Sequence, residues 1–177
     1  YRPQLAQLVV PADTAIQRAT RDELVRGFGG LLGQAPALAG APSAAGAVLV
    51  GTPASLPRLA GLGLDLEGLG EEGYLIRSLE LDGRVATVVA ANSDAGALYG
   101  AFHLLRLVQA RQPLEALDLR QSPKVGLRVL NHWDDLNRHV ERGYSGQSIW
   151  DWHRLPDWLD PRYTDYARAN ASIGING

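Results

Sequence analysis

The chain contains no cysteine among its 177 residues, which excludes a disulfide framework, a thiolate nucleophile and any cysteine-ligated zinc or iron–sulfur centre. It does not settle the compartment, because reduced and exported proteins alike can lack cysteine. An excess of either charge is missing too: 17 Lys and Arg stand against 19 Asp and Glu, a net charge of −2. With no long basic run, a phosphate backbone or an anionic lipid surface finds no electrostatic footprint, so neither nucleic acid nor a membrane is expected as a partner. Long apolar runs are absent as well. Stretches such as Leu104 to Ala110 and Ala47 to Val50 fall far short of the roughly 20 residues that span a bilayer.

Several chemical signatures also fail. Gly27, Gly29, Gly30 and Gly33 resemble a dinucleotide loop, but the G-x-G-x-x-G spacing demands glycine where Leu32 stands, and Gly61 with Gly63 fails the same way at Leu66. Neither a Walker sequence nor a G-x-S-x-G elbow occurs, and there is no H-E-x-x-H. His132 and His139 are seven residues apart, not the i, i+4 pair of a helical zinc site. No metal, no cofactor and no acyl-transfer triad is therefore expected.

What remains, 46% hydrophobic and 20% charged residues, is a globular composition. Ile16, Ala19, Leu24, Phe28 and Leu31 recur at helical spacing over Thr14 to Leu32, with Asp13 or Thr14 as N-cap and Gly33 as stop. Pro36 to Gly46, nearly all Ala, Pro, Gly and Ser, reads as a surface loop. Ala47 to Gly51 suits a buried strand. Tyr74 to Leu81 and Arg84 to Ala91 flank Asp82-Gly83, a dipeptide that accepts the positive φ angles of a type I′ turn, and so predict a hairpin. Asn92, Ser93 and Asp94 offer caps for a helix whose face runs through Leu98, Phe102, Leu105 and Val108 or Gln109, ending before Pro113. His103 lies off that stripe. With an opening strand, these elements predict a two-layer α/β domain over residues 1–122, a small sheet covered by two helices.

Beyond Gln121-Ser122-Pro123 the composition changes: all four Trp and three of the four His lie between residues 132 and 158. Gly126 to Asn131 suits a buried parallel strand, Pro161 to Ser172 a helix and Gly174 to Gly177 the next strand beginning. A crossover helix with so short a partner strand leaves faces uncovered. Residues 123–177 are therefore expected to be the truncated start of a (β/α)8 barrel, a fold whose functional groups gather at the C-terminal ends of its strands. The opening Tyr1, in place of Met, is read as a removed leader or an excised piece.

The densest chemistry is Asn131-His132-Trp133-Asp134-Asp135 followed by Glu141-Arg142-Gly143-Tyr144. Sugar sites combine an aromatic ring, packed on the C–H face of the sugar, with carboxylates and amides that bond its hydroxyls. Trp133 with Asn131, Asp134 and Glu141 has that make-up. Asp134 with Glu141 would also supply the two carboxyl groups of glycoside hydrolysis. Each has a plainer role open to it. Asp134 or Asp135 suits a turn cap, Glu141 suits an ion pair with Arg142 or Arg138, and Trp150, Trp152 and Trp158 suit packing. His132 suits a hydrogen-bonded orienting role. Asn170-Ala171-Ser172 has the form of a glycosylation sequon, but it sits at the end of a predicted helix beside Ile173 and is discounted.

The run Arg128-Val129-Leu130-Asn131-His132-Trp133-Asp134, with Glu141-Arg142-Gly143-Tyr144-x-Gly146-x-Ser148-Ile149, resembles the bacterial and fungal α-glucuronidases of glycoside hydrolase family 67. Tyr166-Ala167-Arg168 with Ala171-Ser172-x-Gly174-Ile175-Asn176 resembles that family's first barrel helix and second strand. Gly73-Tyr74 and Asp94 to Gly100 resemble its N-terminal domain, a fold shared with the accessory domain of β-hexosaminidases. The resemblance implies an inverting hydrolase acting on a glucuronoxylan-derived oligosaccharide, removing glucuronic acid or its 4-O-methyl ether from the α-1,2 linkage to a terminal xylose. It also implies that the catalytic carboxylates lie on later barrel strands, outside this chain, and that the parent pairs as a homodimer through an absent C-terminal region. Glu141 would then be a substrate-binding carboxylate and Trp133 the ring that walls the glucuronyl group, supported by Arg142, Asn131 and Asp134.

Three positions depart from the family pattern: Asp135 where Asn is usual, Arg138 near an expected Gly, and Ser145 in place of Ala. Two other readings stand beside this one, a non-catalytic carbohydrate-binding or scaffold module and a β-hexosaminidase-like glycosidase. The second would need an Asp-Glu dyad downstream.

Overall fold

Thr14 starts the first helix with a reciprocal cap. Its hydroxyl accepts the Gln17 N–H at 3.1 Å while the Gln17 side-chain oxygen accepts the Thr14 N–H at 3.4 Å, which satisfies donors that an α-helix leaves orphaned at its start. The helix, α1 (Ala15–Leu32), stops where Gly33 enters the left-handed region at φ 75°. Asp94 ties this cap to the second helix, accepting from the Thr14 hydroxyl at 2.7 Å and from the Gln17 amide at 3.1 Å. The computed structural model describes residues 1–43, 46–140 and 146–177, and divides into two units, Tyr1–Lys124 and Val125–Gly177.

In the first unit the strands β1 (Gln7–Val9), β2 (Ala37–Leu38), β3 (Ala47–Gly51), β4 (Tyr74–Leu81), β5 (Arg84–Ala91) and β6 (Asp118–Gln121) form one mixed sheet. Their order is β2-β1-β3-β5-β4-β6. The first four in that order run parallel to one another, and β4 is antiparallel to both β5 and β6. The hairpin forms at the expected residues, with Leu81 opposite Arg84 and positive φ of 50° and 75° at Asp82 and Gly83. The second helix, α2 (Asp94–Gln109), is capped by Ser93, whose hydroxyl accepts the Gly96 N–H at 3.2 Å.

Alternation divides the sheet's side chains between two apolar layers. Val48, Val50, Val89 and Ala91 face Leu24 and Phe28 of α1 and Ala101, Leu104 and Val108 of α2. Ala47, Leu49, Val88 and Ala90 face the other way, beneath Leu59, Leu62, Leu64 and Leu66 of the loop before β4. Covering on both faces explains why β3 is an unbroken apolar run. Each fully buried Leu or Phe stabilises this unit by roughly 1.5–3 kcal/mol.

The helix faces agree with expectation in part: Leu24, Phe28, Phe102 and Val108 are buried as expected. Ile16 and Leu31 are exposed, and α1 buries Gln17, Thr20 and Glu23 beside Leu24 and Phe28. On α2 the buried stripe is Ala97, Ala101, Leu104 and Val108, with Phe102 beside it, and Gln109 is exposed. Small residues decide the matter. A Cβ on Gly96 would stand 2.5 Å from the Gly73 carbonyl oxygen, and one on Gly100 2.5 Å from a Val89 methyl; α2 therefore lies backbone-close on the hairpin. Gly27, the first residue of the failed dinucleotide motif, sits mid-helix where a Cβ would stand 2.5 Å from a Leu105 methyl. Two strands escaped the periodicity. β2 lies inside the expected loop and is only two residues long, both exposed, and β6 is a polar edge strand whose Asp118 pairs with Arg77 across the ladder at 2.7 Å.

Among its described residues the second unit has one helix, α3 (Pro161–Ser172), at the predicted bounds. Gly126 to Asn131 and Gly174 to Gly177, expected as strands, form none; the stretch 126–131 is exposed apart from half-buried Arg128. Two backbone bonds run between the segments, from Asn176 N–H to Arg128 C=O at 2.9 Å and from Leu130 N–H to Gly177 C=O at 3.3 Å, too few for a ladder.

Candidate functional site

Helix α3 organises the second unit. Asp160 caps it, accepting the Arg162 N–H at 2.9 Å, with Pro161 pre-set for the first turn. The Arg162 guanidinium grips the same carboxylate, and this hydrogen bonding holds the Asp160 carboxyl below its ordinary range and pushes Arg162 up. Tyr163 and Tyr166, three residues apart, share one face of the helix.

That face carries an aromatic cluster. Trp150 stacks on Tyr163 with centroids 4.8 Å apart and meets Tyr166 edge-on at 5.6 Å. His132 stands perpendicular to Trp150 at 5.8 Å, and its Nε2 lies 2.6 Å from the Tyr166 hydroxyl. The Tyr163 hydroxyl accepts the Asp151 N–H at 2.8 Å. Trp150 thus takes the expected packing role, whereas Trp152 and Trp158 are both exposed, the latter under the Arg154 guanidinium at 3.8 Å.

After the cluster the chain turns back twice. Asp135 N–H bonds to His139 C=O at 2.9 Å, and Asp134 bridges to Val140. The turn's side-chain bond comes from Asn137, which accepts the His139 N–H at 2.9 Å, so the cap expected of Asp134 or Asp135 falls to Asn137. Arg138 takes φ 75°, a left-handed conformation that makes sense of a glycine expected near this place. Its guanidinium donates to the Ser148 carbonyl at 3.0 Å and pairs with Asp151 at 3.6 Å. Val140 N–H then bonds to Gly146 C=O at 3.1 Å and Ser148 N–H to Arg138 C=O at 2.8 Å. Residues 138–140 and 146–148 therefore flank Glu141 and Arg142, which lie outside the described residues.

Of the sequence-predicted site residues, Asn131 and Trp133 are exposed, the Trp133 side of the segment at 47%. Asp134 is half-buried, and its Oδ2 is enclosed without a hydrogen-bond partner among the described residues. Buried polar atoms of folded proteins are otherwise nearly always hydrogen-bonded. Tyr166, Trp150 and Tyr163 form an aromatic cluster against His132 that spacing alone did not assemble. For the tyrosines a signal was present in their i, i+3 spacing on α3. In the first unit, the Tyr74 hydroxyl lies 3.0 Å from His103 Nδ1. Burial raises the tyrosine and, with Arg106 nearby, lowers the histidine; both shifts favour a phenol donating to neutral imidazole.

The sequence matches the family model described as Glycosyl hydrolase family 67 N-terminus over residues 1–104, and the one described as Glycosyl hydrolase family 67 middle domain over residues 107–177. It is 33% identical over 190 aligned residues to Alpha-glucuronidase A of Emericella nidulans, covering 99% of this chain and 22% of that protein. The chain thus spans about a fifth of that relative's length. Among solved structures, a family GH115 4-O-methyl-α-glucuronidase with specificity for decorated arabinogalactans superposes with a TM-score of 0.65 at 17% identity, over 97% of this chain and 24% of that one. A Streptomyces plicatus β-hexosaminidase superposes with a TM-score of 0.50 at 18% identity, over 76% and 25%. At such identities the two structures speak for a shared fold alone. With both family models tiling nearly its whole length, the chain belongs to glycoside hydrolase family 67.

Proposed function

We propose that this chain is the N-terminal part of an inverting α-glucuronidase that removes glucuronic acid or its 4-O-methyl ether from a glucuronoxylan-derived oligosaccharide. The observation that carries the reading is the pair of family 67 models, N-terminal and middle, in sequence order on one chain, beside a full-length relative named as an α-glucuronidase. In this reading residues 1–122 are an accessory α/β domain and 123–177 open a (β/α)8 catalytic barrel. The reading takes the segments that two backbone bonds join, Arg128 and Leu130 with Asn176 and Gly177, as the first pair of barrel strands.

Trp133 walls the sugar, Glu141 binds it, and Asn131, Asp134 and Arg142 assist. Asp134 is the best supported by geometry, because its enclosed Oδ2 lacks a donor among the described residues. The catalytic acid and base belong to strands outside this chain, and homodimer pairing through a region outside it is part of the same proposal. An inverting mechanism holds its two carboxyls about 6.5–9.5 Å apart to admit water.

The test compares the full-length protein, its Glu141→Gln variant and the 177-residue chain on a short 4-O-methylglucuronoxylan oligosaccharide, reading released uronic acid. Release by the full-length protein, reduced about tenfold or more in Glu141→Gln as expected when a charged hydrogen bond is lost, and absent from the chain alone, supports the assignment. No release by folded full-length protein overturns the activity. Undiminished release by Glu141→Gln removes that residue from the pocket.

A further inference from the structure

We propose that the His132–Tyr166 hydrogen bond positions Asn131 and Trp133 for sugar binding, which makes His132 and Tyr166 positioning residues of the uronic-acid pocket. The proposal rests on the functional reading above. Its observation is separate: a 2.6 Å contact between a loop imidazole and a helix phenol, set inside a ring cluster.

The Asn131–Trp133 segment belongs to no strand, and Asn131, His132 and Trp133 are all exposed. The nearest backbone ties on either side are at Leu130, bonded to Gly177, and at Asp134, bridged to Val140. Between them His132 reaches the helix. Its ring lies 5.5 Å from Tyr166 and 5.8 Å from Trp150, perpendicular to the latter, and Trp150 is itself stacked on Tyr163. Tyr163 and Tyr166 project from one face of α3, whose capped start gives them a stiff base. Edge-to-face rings add orientation as well as attraction. The imidazole is thereby fixed from two directions, and the residues on either side of it inherit that constraint through the backbone. A group that binds or walls a substrate loses effect when it drifts by as little as about 1 Å, so removing the bond should weaken binding without touching the chemistry.

The test uses the full-length protein and its Tyr166→Phe, His132→Phe, His132→Gln and Tyr166→Phe/His132→Phe variants, with kcat and KM on the same oligosaccharide. Phenylalanine keeps each ring and removes only the polar contact. Tyr166→Phe and His132→Phe should each raise KM about 5- to 10-fold, the loss of one good hydrogen bond, with kcat within about twofold. The double variant should be no worse than either single one, because both remove the same bond. His132→Gln, whose amide reaches the place of Nε2, should restore most of the affinity. An unchanged KM in Tyr166→Phe, multiplying losses in the double variant, or no rescue by Gln overturns the proposal. A second readout needs no substrate: 15N relaxation of the Trp133 backbone amide and indole in the 177-residue chain. Tyr166→Phe should lower their order, and unchanged order overturns the positioning role even if the wild-type protein proves inactive on glucuronoxylan, the result that would instead overturn the functional reading.

Discussion

Residues 1–124 and 125–177 come to their conformations by different means. In the first unit, order comes from a six-stranded ladder with apolar side chains on both faces, and its buried residues include Leu8, Val48, Leu49, Ile76, Val88 and Val89. In the second, one helix, paired turns and ring contacts do that work. Val125, Leu127, Val129, Leu130, Leu136 and Ile173 stay exposed, and Val140 is the buried hydrophobic among the described residues. Yet the second unit carries the residues proposed for sugar binding. Burial concentrates stability in one region, while the other leaves its polar and aromatic groups accessible and orients them through contacts between side chains.

The largest expected test of that contrast is a pair of truncations. Phe28→Ala, in the core between α1 and the sheet, should cost about 3–5 kcal/mol. Trp158→Ala, at a ring 37% exposed beneath Arg154, should cost only about 0.5–1 kcal/mol, chiefly its cation–π contact. Urea midpoints read both, and equal costs would break the contrast. A glycine pair sharpens it at smaller scale. Gly96→Ala puts a methyl 2.9 Å from the Ala91 Cβ as well as against the Gly73 carbonyl and should destabilise by about 1–3 kcal/mol. Gly126→Ala meets nothing within 4 Å and should leave the midpoint within about 0.5 kcal/mol.

The smallest effect separates the units by pH. His103 titrates below its ordinary 6.5 in the folded chain, through burial and then Arg106, so the unfolded chain binds the proton more readily. Its contribution is therefore complete above about pH 6.5 and is lost as pH falls from there through the folded value. Asp160 is also depressed, by the Arg162 hydrogen bonds, from an ordinary 3.8. Its contribution to the second unit persists until pH drops below about 3.8 and is lost through the folded value. Denaturation midpoints measured across pH 7 to 5 should slope for the first unit and flatten in His103→Asn, whose amide oxygen takes the place of Nδ1 as acceptor. A slope undiminished in the variant would assign it to another group.

Legibility in the sequence followed the same division. α1, α3 and the β4–β5 hairpin were readable closely, with Asp13 and Thr14 both open as the α1 cap, because caps and turn dipeptides are local chemistry: Thr14 before α1, Pro161 opening α3, Asp82 with Gly83. The buried faces of α1 and α2 were readable only in part, at Leu24, Phe28, Phe102 and Val108. Side-chain size points to Ile16, Leu31, Leu98 and Leu105, whereas close packing selected Gly96, Ala97, Gly100 and Ala101. The strand expected over Gly126 to Asn131 failed for the opposite reason. Its residues suit a buried parallel strand, but such strands occur almost only with both sheet faces covered, and this stretch is exposed apart from Arg128, with two backbone bonds to one neighbour. Around the site, Trp133 and Asp134 were legible as residue types, while the link from His132 to Tyr166 joins positions 34 apart and leaves no local trace.

By itself the sequence determined where the helices run and where the hairpin turns, since each depends on neighbours within a few positions, and it marked the short run proposed for sugar binding. Only the tertiary structure decided which helix faces are buried, that Asp134 keeps an enclosed oxygen without a partner among the described residues, that Arg138 occupies a left-handed turn braced by Ser148 and Asp151, and that His132 meets Tyr166. Those outcomes depend on distances between residues far apart in the chain, which local propensity does not encode.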